Sequence, residues 1–265
     1  MLTSTDLAVR PEFAVSDVTC RDDHTGWSAV ESPDGYRVVL VTRGRFRRRT
    51  DGVLAELDPT VGYVGVPGQE ERFAHPAGGD RCTSISLRPD LWRAVAGEGA
   101  RLERSTVYVD ARLDLARRRV LAAARAGEDA GELVLELARR VVRQVVGGAV
   151  EAPSRHGDRD LVADARRVIG EEDPGGLFPL AELLGVSPYR LSRAFTGELG
   201  ESLTRYRNRV RVGHALDRLE EGEASLAGLA ADLGFADQAH LTRTMRAQLG
   251  HTPTAVKRLL ANSLG

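Results

Sequence analysis

The C-terminal part of the chain repeats one set of punctuation marks, and that repetition constrains the fold more than any other feature. Leu180-Ala181 is followed by Gly185, Ser187, Leu191, Arg193 and Phe195, while Leu229-Ala230 is followed by Gly234, Asp237, Leu241, Arg243 and Met245. The two stretches agree when the second turn carries one extra residue, at Phe235. Without it, Ser187 falls opposite Ala236 and Leu191 opposite His240, and the pattern is lost. A short helix ending at glycine, then a second helix opened by a capping Ser or Asp, is the helix-turn-helix pattern. In such a unit the first helix braces the second, whose early residues meet base edges in the DNA major groove.

The flanking residues extend this reading. Asp160 to Ile169 forms an opening helix, and Ser202 to Leu219 a longer connecting one with Leu203, Tyr206, Val210, Ala215 and Leu219 on a mostly apolar face. Ser187-Pro188 and Thr252-Pro253 each set a hydroxyl before a proline, the signature of a helix start. Candidate readers are the polar residues near the starts of the two second helices: Tyr189, Arg190 and Arg193, then Gln238, His240 and Arg243. Arginine matches the paired acceptors of guanine, and glutamine the acceptor and donor of adenine. Six arginines (190, 193, 205, 207, 209 and 211) stand against Glu198 and Glu201 between residues 190 and 211. This basic stretch adds Arg205, Arg207 and Arg209 as candidate DNA contacts, and the chain's net charge of −1 conceals it. Of 37 Lys plus Arg only Lys257 is lysine, an imbalance that a coding bias explains more readily than a function.

The N-terminal residues follow a different grammar. Tyr36–Thr42, Arg45–Arg49, Val53–Leu57, Val61–Val66 and Arg81–Leu87 read as short strands separated by Gly and Pro turns, which suggests a small antiparallel barrel or sandwich. The arginine run at 43, 45, 47, 48 and 49 reads as an exposed strand face or subunit surface rather than a DNA contact. From Ala111 to Val146 the period becomes helical, and the stripe Leu133, Val134, Leu137, Val141, Val142, Val145 and Val146 must pack on its own barrel or on a second subunit. The expected organisation is α+β and multidomain. A barrel occupies 1–110, a helical and possible dimerisation segment 111–147, a linker 148–157, and a helical reader with both helix-turn-helix units 158–265.

Four N-terminal residues bear on chemistry. Cys20, His24, His75 and Cys82 together offer two thiolates and two imidazoles, a set suited to zinc, although their spacing is loose. Buried structural thiols, a redox-sensing thiol and an apolar small-molecule pocket compete with that reading. No nucleophile elbow, phosphate-cradling glycine loop or His-x-Glu metal pair is present, so no enzyme is expected. The different-class alternatives are a cupin-type metal-dependent enzyme fused to a helical module, for which His75 with Glu70 and Glu71 is the suggestive cluster, and a helical protein-interaction module. No run approaches the ~18 apolar residues that span a bilayer, and the first residues lack a leader pattern, so no membrane partner and a cytoplasmic location are expected.

Residues Leu177 to Leu260 resemble the DNA-binding domain of the AraC/XylS family of transcription regulators. The resemblance rests on Leu180-Ala181-Glu182-Leu183-Leu184-Gly185-Val186-Ser187, Leu191-Ser192-Arg193-Ala194-Phe195, Leu229-Ala230-Ala231-Asp232-Leu233-Gly234-Phe235, Gln238-Ala239-His240-Leu241-Thr242-Arg243 and Leu249-Gly250-His251-Thr252-Pro253. It covers roughly the last third of the chain. Met245 stands where an aromatic is usual, and Val256-Lys257 replaces an aromatic-basic pair; softer packing is expected there. The resemblance implies two recognition helices on successive stretches of double-stranded DNA, RNA polymerase as a partner, and a cupin-like effector barrel answering to an unidentified small molecule. It also implies helices used for dimer formation. Activation against repression stays open.

Overall fold

The computed structural model describes residues 2–21, 25–146 and 156–261. It divides into two compact units, Met1–Gly148 with His251–Gly265, and Ala149–Gly250.

The first unit opens with strands β1 (Leu2–Val9), β2 (Phe13–Cys20), β3 (Tyr36–Arg43), β4 (Phe46–Thr50), β5 (Val53–Leu57), β6 (Val61–Gly65), β7 (Glu71–Ala74) and β8 (Asp80–Leu87). Helix α1 (Pro89–Ala96), strand β9 (Thr106–Tyr108) and helices α2 (Ala111–Ala126) and α3 (Gly131–Val145) follow. The strands form a six-stranded sheet in the order β1-β2-β8-β3-β6-β9 and a three-stranded sheet in the order β5-β4-β7. Among the described residues every strand pairing is antiparallel.

The larger sheet is covered on both sides, and β3 shows how. Val38 and Leu40 point into one core with Ile85, Leu87, Trp92 and the helices, while Val39 and Val41 point into another with Phe46, Leu57, Tyr63 and Phe73. This is why Tyr36–Thr42 reads as a continuous apolar run: a period-2 strand buried on both faces has no polar side. The α3 stripe is resolved in the same way. Val134, Leu137, Val141 and Val145 are fully buried within the unit's own core. A dimer seam on those four residues would require undocking α3 from its own sheet.

Three further differences from the sequence reading have physical reasons. β1, Leu-Thr-Ser-Thr-Asp-Leu-Ala-Val, is an edge strand almost wholly exposed, so it carries little apolar alternation to read. Helix α1 is short, and Trp92 is its one buried residue, stacked on Tyr36 at 4.3 Å. The arginine run is not uniformly a surface: Arg47 and Arg49 are exposed on β4, but Arg48 between them is buried. Its guanidinium donates to Glu71 Oε1 from Nε (3.0 Å) and Nη2 (2.7 Å) and lies 4.4 Å from the Tyr63 ring centroid. Arg37 Nη2 of β3 donates to the other oxygen of Glu71 at 2.7 Å.

The Glu71 side chain has no solvent exposure, and among the described residues Arg48 and Arg37 pair with its charge. Glu71→Ala leaves two arginines around an emptied site. The expected loss is about 3–5 kcal/mol of stability, read as a lower urea midpoint of the N-terminal transition.

Candidate nucleic-acid interface

The second unit holds helices α4 (His156–Glu171), α5 (Leu177–Leu183), α6 (Pro188–Leu199), α7 (Leu203–Glu220), α8 (Leu226–Asp232) and α9 (Gln238–Leu249); α10 (Pro253–Ala261) closes the chain. The two helix-turn-helix units match in length, seven residues in α5 and α8, twelve in α6 and α9. The one-residue insertion is visible in the turns: Gly185 precedes the Ser187 cap by two residues, and Gly234 precedes the Asp237 cap by three. Both glycines are left-handed, with φ of 65° and 71°. Ser187 Oγ accepts from the Arg190 N–H at 3.2 Å, and Asp237 Oδ1 from the His240 N–H at 2.6 Å. These caps satisfy helix-start amides that would otherwise lack partners.

Each second helix is anchored by its apolar side. Leu191, Phe195, Leu241 and Met245 are completely buried, and Phe195 meets Tyr206 edge-on at 5.0 Å. Met245 fills the position equivalent to Phe195 without exposure. The opposite side is left to solvent. Tyr189 is 71% exposed, Arg190 and Arg193 are exposed, and so are Gln238 and Arg243. The Arg193 guanidinium lies 5.8 Å from the Tyr189 ring centroid, and Arg190 Nε is 3.8 Å from Asp158 on α4.

The candidate contacts separate into two classes. Arg205 is exposed, with its side chain 3.5 Å from Glu201. Arg207 and Arg209, expected to grip DNA, are instead buried in α7. Arg207 pairs with Asp173 in the segment between α4 and α5, so its charge is used inside the unit. An alternation of charge along a helix cannot distinguish such a clasp from a solvated face, because the partner is remote in sequence. His240 is half-buried and its Nδ1 accepts the Ala236 N–H at 3.2 Å while its ring meets Phe235 edge-on. It braces the longer second turn, a role at odds with free reading of bases. Arg246, which the sequence reading passed over, is exposed on α9 three residues after Arg243. The i, i+3 spacing puts the two arginines on neighbouring turns of one face, a signal that was available.

Three of the four N-terminal candidates lie among the described residues; His24 lies outside them. Cys20, His75 and Cys82 are all buried. His75 Nδ1 and Asp80 Oδ2 are hydrogen-bonded at 2.5 Å, and the Cys82 thiol donates to Asp80 Oδ1 at 3.4 Å. Burial, then the Asp80 carboxylate, raises both thiols above the usual cysteine range, Cys82 more strongly. Neither is a poised thiolate, which argues against a ready redox nucleophile. Glu70 and Glu71 do not join His75 in an acidic cluster; Glu71 serves Arg48 and Arg37.

Residues 180–259 match the helix-turn-helix domain family model. The chain is 29% identical over 126 residues to the HTH-type transcriptional regulator Rv1931c of Mycobacterium tuberculosis, covering 42% of this chain and 49% of that protein. It is 25% identical over 236 residues to the HTH-type transcriptional regulator GlxA of Rhizobium meliloti, covering 84% of this chain and 66% of that one. The chain thus spans about half of the first relative's length and 66% of the second's. Among solved structures, a cupin superfamily protein from Desulfitobacterium hafniense aligns with 33% of this chain and 78% of its own, at 18% identity and a TM-score of 0.30.

Gly234→Val places a β-branched residue at φ 71°. A Cβ there meets only the Arg211 guanidinium, at 3.9 Å, so the cost is backbone strain of about 1–2 kcal/mol. Urea unfolding is expected to show that loss together with weaker DNA retention, and an unchanged midpoint would contradict the turn assignment.

Proposed function

We propose that this chain, whose C-terminal region is an AraC-type helix-turn-helix domain, is a sequence-specific DNA-binding transcription regulator rather than an enzyme. The observation that carries the reading is the duplicated, capped second helix with its anchored apolar side and its exposed Tyr189, Arg190, Arg193, Gln238 and Arg243. The two regulators it resembles support the same class.

The burial pattern assigns roles. Arg193 and Arg243 occupy equivalent positions early in α6 and α9 and are the proposed base readers, joined by Gln238. Arg190 on α6, Arg205 on α7 and Arg246 on α9, all exposed, are the proposed phosphate contacts. Arg207, Arg209 and His240 hold the framework. The N-terminal unit is the proposed effector-sensing part, with an aromatic interior of Phe46, Tyr63 and Phe73 between its sheets. Binding near RNA polymerase, a homodimeric assembly and a cytoplasmic setting belong to this proposal as what a regulator of this kind would need.

Selection of bound sequences from a random duplex pool is the direct test. Two preferred motifs about one helical turn, 10–10.5 bp, apart are expected, and recovery of no consensus would overturn sequence-specific binding. On the selected site, Arg193→Ala or Arg243→Ala should cost about 1–3 kcal/mol and relax preference at one position. Arg205→Ala should instead weaken all sequences alike and lower the salt slope by about 1. Arg207→Ala separates framework from contact: its expected signature is a lower melting temperature with an unchanged salt slope.

A further inference from the structure

The β7–β8 turn brings together polar groups that the DNA-reading function does not use. Cys20 ends β2, His75 follows β7, and Asp80 begins β8 directly opposite Cys20 in the antiparallel register. The Cys20 sulfur, a ring nitrogen of His75 and a carboxylate oxygen of Asp80 lie within 4.8 Å of one another, and all three residues are buried. Cys82, two residues beyond Asp80 on the same side of β8, directs its thiol at Asp80 Oδ1.

The approach is enforced by the backbone. At Gly79 an added Cβ would lie 2.5 Å from the Cys20 carbonyl oxygen, so any side chain there would push the turn away from the end of β2. The Gly78 N–H donates to the His75 carbonyl at 3.3 Å and tightens the same turn. His75 is also held from its ring face, stacked on Phe46 at 5.4 Å. Three chain segments therefore converge on one point, with side chains fixed before any ligand arrives, which is the preorganisation a metal site requires.

We propose that Cys20, His75 and Asp80 bind one zinc-type divalent cation through a thiolate sulfur, an imidazole nitrogen and a carboxylate oxygen. The donor set mixes S, N and O, which suits zinc better than the all-oxygen preference of magnesium or calcium. Charge supports the choice. A thiolate and a carboxylate neutralise a dication, leaving a buried site without net charge, whereas a monovalent or trivalent ion would leave an uncompensated one. On binding, the Cys20 proton leaves to solvent, and the His75–Asp80 hydrogen bond gives way to one bond from each residue to the cation. The Cys82 thiol stays protonated and continues to donate to Asp80, orienting the carboxylate. His24 lies outside the described residues, and Cys82, expected from sequence as a ligand, becomes a positioning residue.

The test uses the full chain, stripped with chelator and kept reduced. Equilibrium dialysis against zinc should give about one equivalent bound. Cobalt, as the spectroscopic substitute, should give a sulfur-to-metal charge-transfer band in the near ultraviolet. Cys20→Ser should abolish that band. Cys82→Ala should retain it and weaken zinc binding by about 10–100-fold. Less than about a tenth of an equivalent of zinc would overturn the site. So would a cobalt spectrum without the thiolate band, or a band that survives in folded Cys20→Ser. The wild-type stoichiometry and spectrum decide the matter even if a variant fails to fold, and DNA selection is scored separately, so either proposal can fail alone.

Discussion

A carboxylate held entirely out of water ties the two sheets of the first unit together. Glu71 sits on β7 of the smaller sheet; Arg48 reaches it from β4 of that sheet, and Arg37 from β3 of the larger one. An isolated buried charge of this kind costs several kcal/mol after relaxation, so the sheets are held at the separation where both guanidiniums reach it. That spacing also sets the aromatic interior, because Arg48 lies over Tyr63 and Tyr63 packs beside Phe46 and Phe73. The same two-sheet arrangement carries the β7 end to which His75 belongs. A hydrophobic pair in place of Arg48 and Glu71 could be as stable, but it would not fix the register of β4 against β7 through directional bonds.

In the C-terminal part of the chain the repeat is larger than the helix-turn-helix. Val162, Ala165 and Ile169 of α4 recur fifty positions later as Val212, Ala215 and Leu219 of α7, all buried (212 − 162 = 50). Leu203 and Tyr206 at the start of α7 recur at the same spacing as Pro253 and Val256 of α10, also buried. The hydroxyl caps follow too: Ser202 Oγ accepts from the Arg205 N–H, and Thr252 Oγ1 from the Ala255 N–H. Helix α7 thus closes the first repeat with its N-terminal half and opens the second with its C-terminal half. A helix with both tasks must be apolar on two sides, and this is why arginines on it become enclosed.

How much of this was legible depends on whether the determining partner is near in sequence. Caps, glycine turns and the inserted residue at Phe235 are local, so the second unit's helices and the equivalence of Arg193 with Arg243 followed from the residues alone. The burial of Arg48 and Arg207 did not, because Glu71 and Asp173 lie far along the chain from the groups they pair with. Asp80 went unnoticed for the related reason that a lone aspartate after Gly-Gly looks like turn chemistry. Only the pairing of β2 with β8 puts it beside Cys20. The edge strand β1, with Thr, Ser, Thr and Asp in sequence, carries too little apolar pattern to announce itself.

The enclosed arginines change what the reader's charge can do. Of the six between residues 190 and 211, Arg207 and Arg209 are buried, and Arg211 is half-exposed with Asp173 at 4.0 Å. Arg190, Arg193 and Arg205 remain exposed there, with Arg243 and Arg246 on α9. Counterion release grows with the number of phosphates neutralised, at about 0.9 log units of slope each, so each unit alone has a small non-specific affinity. Under the proposed function, discrimination would then come from pairing two weak readers. A continuous helix such as α7, about 27 Å long at 1.5 Å per residue, joins them with far less entropy loss than a flexible tether. Binding of one unit therefore presents the other at high effective concentration. Under the proposed reading, Arg207 would serve specificity by tying α7 to the segment between α4 and α5 rather than by adding grip.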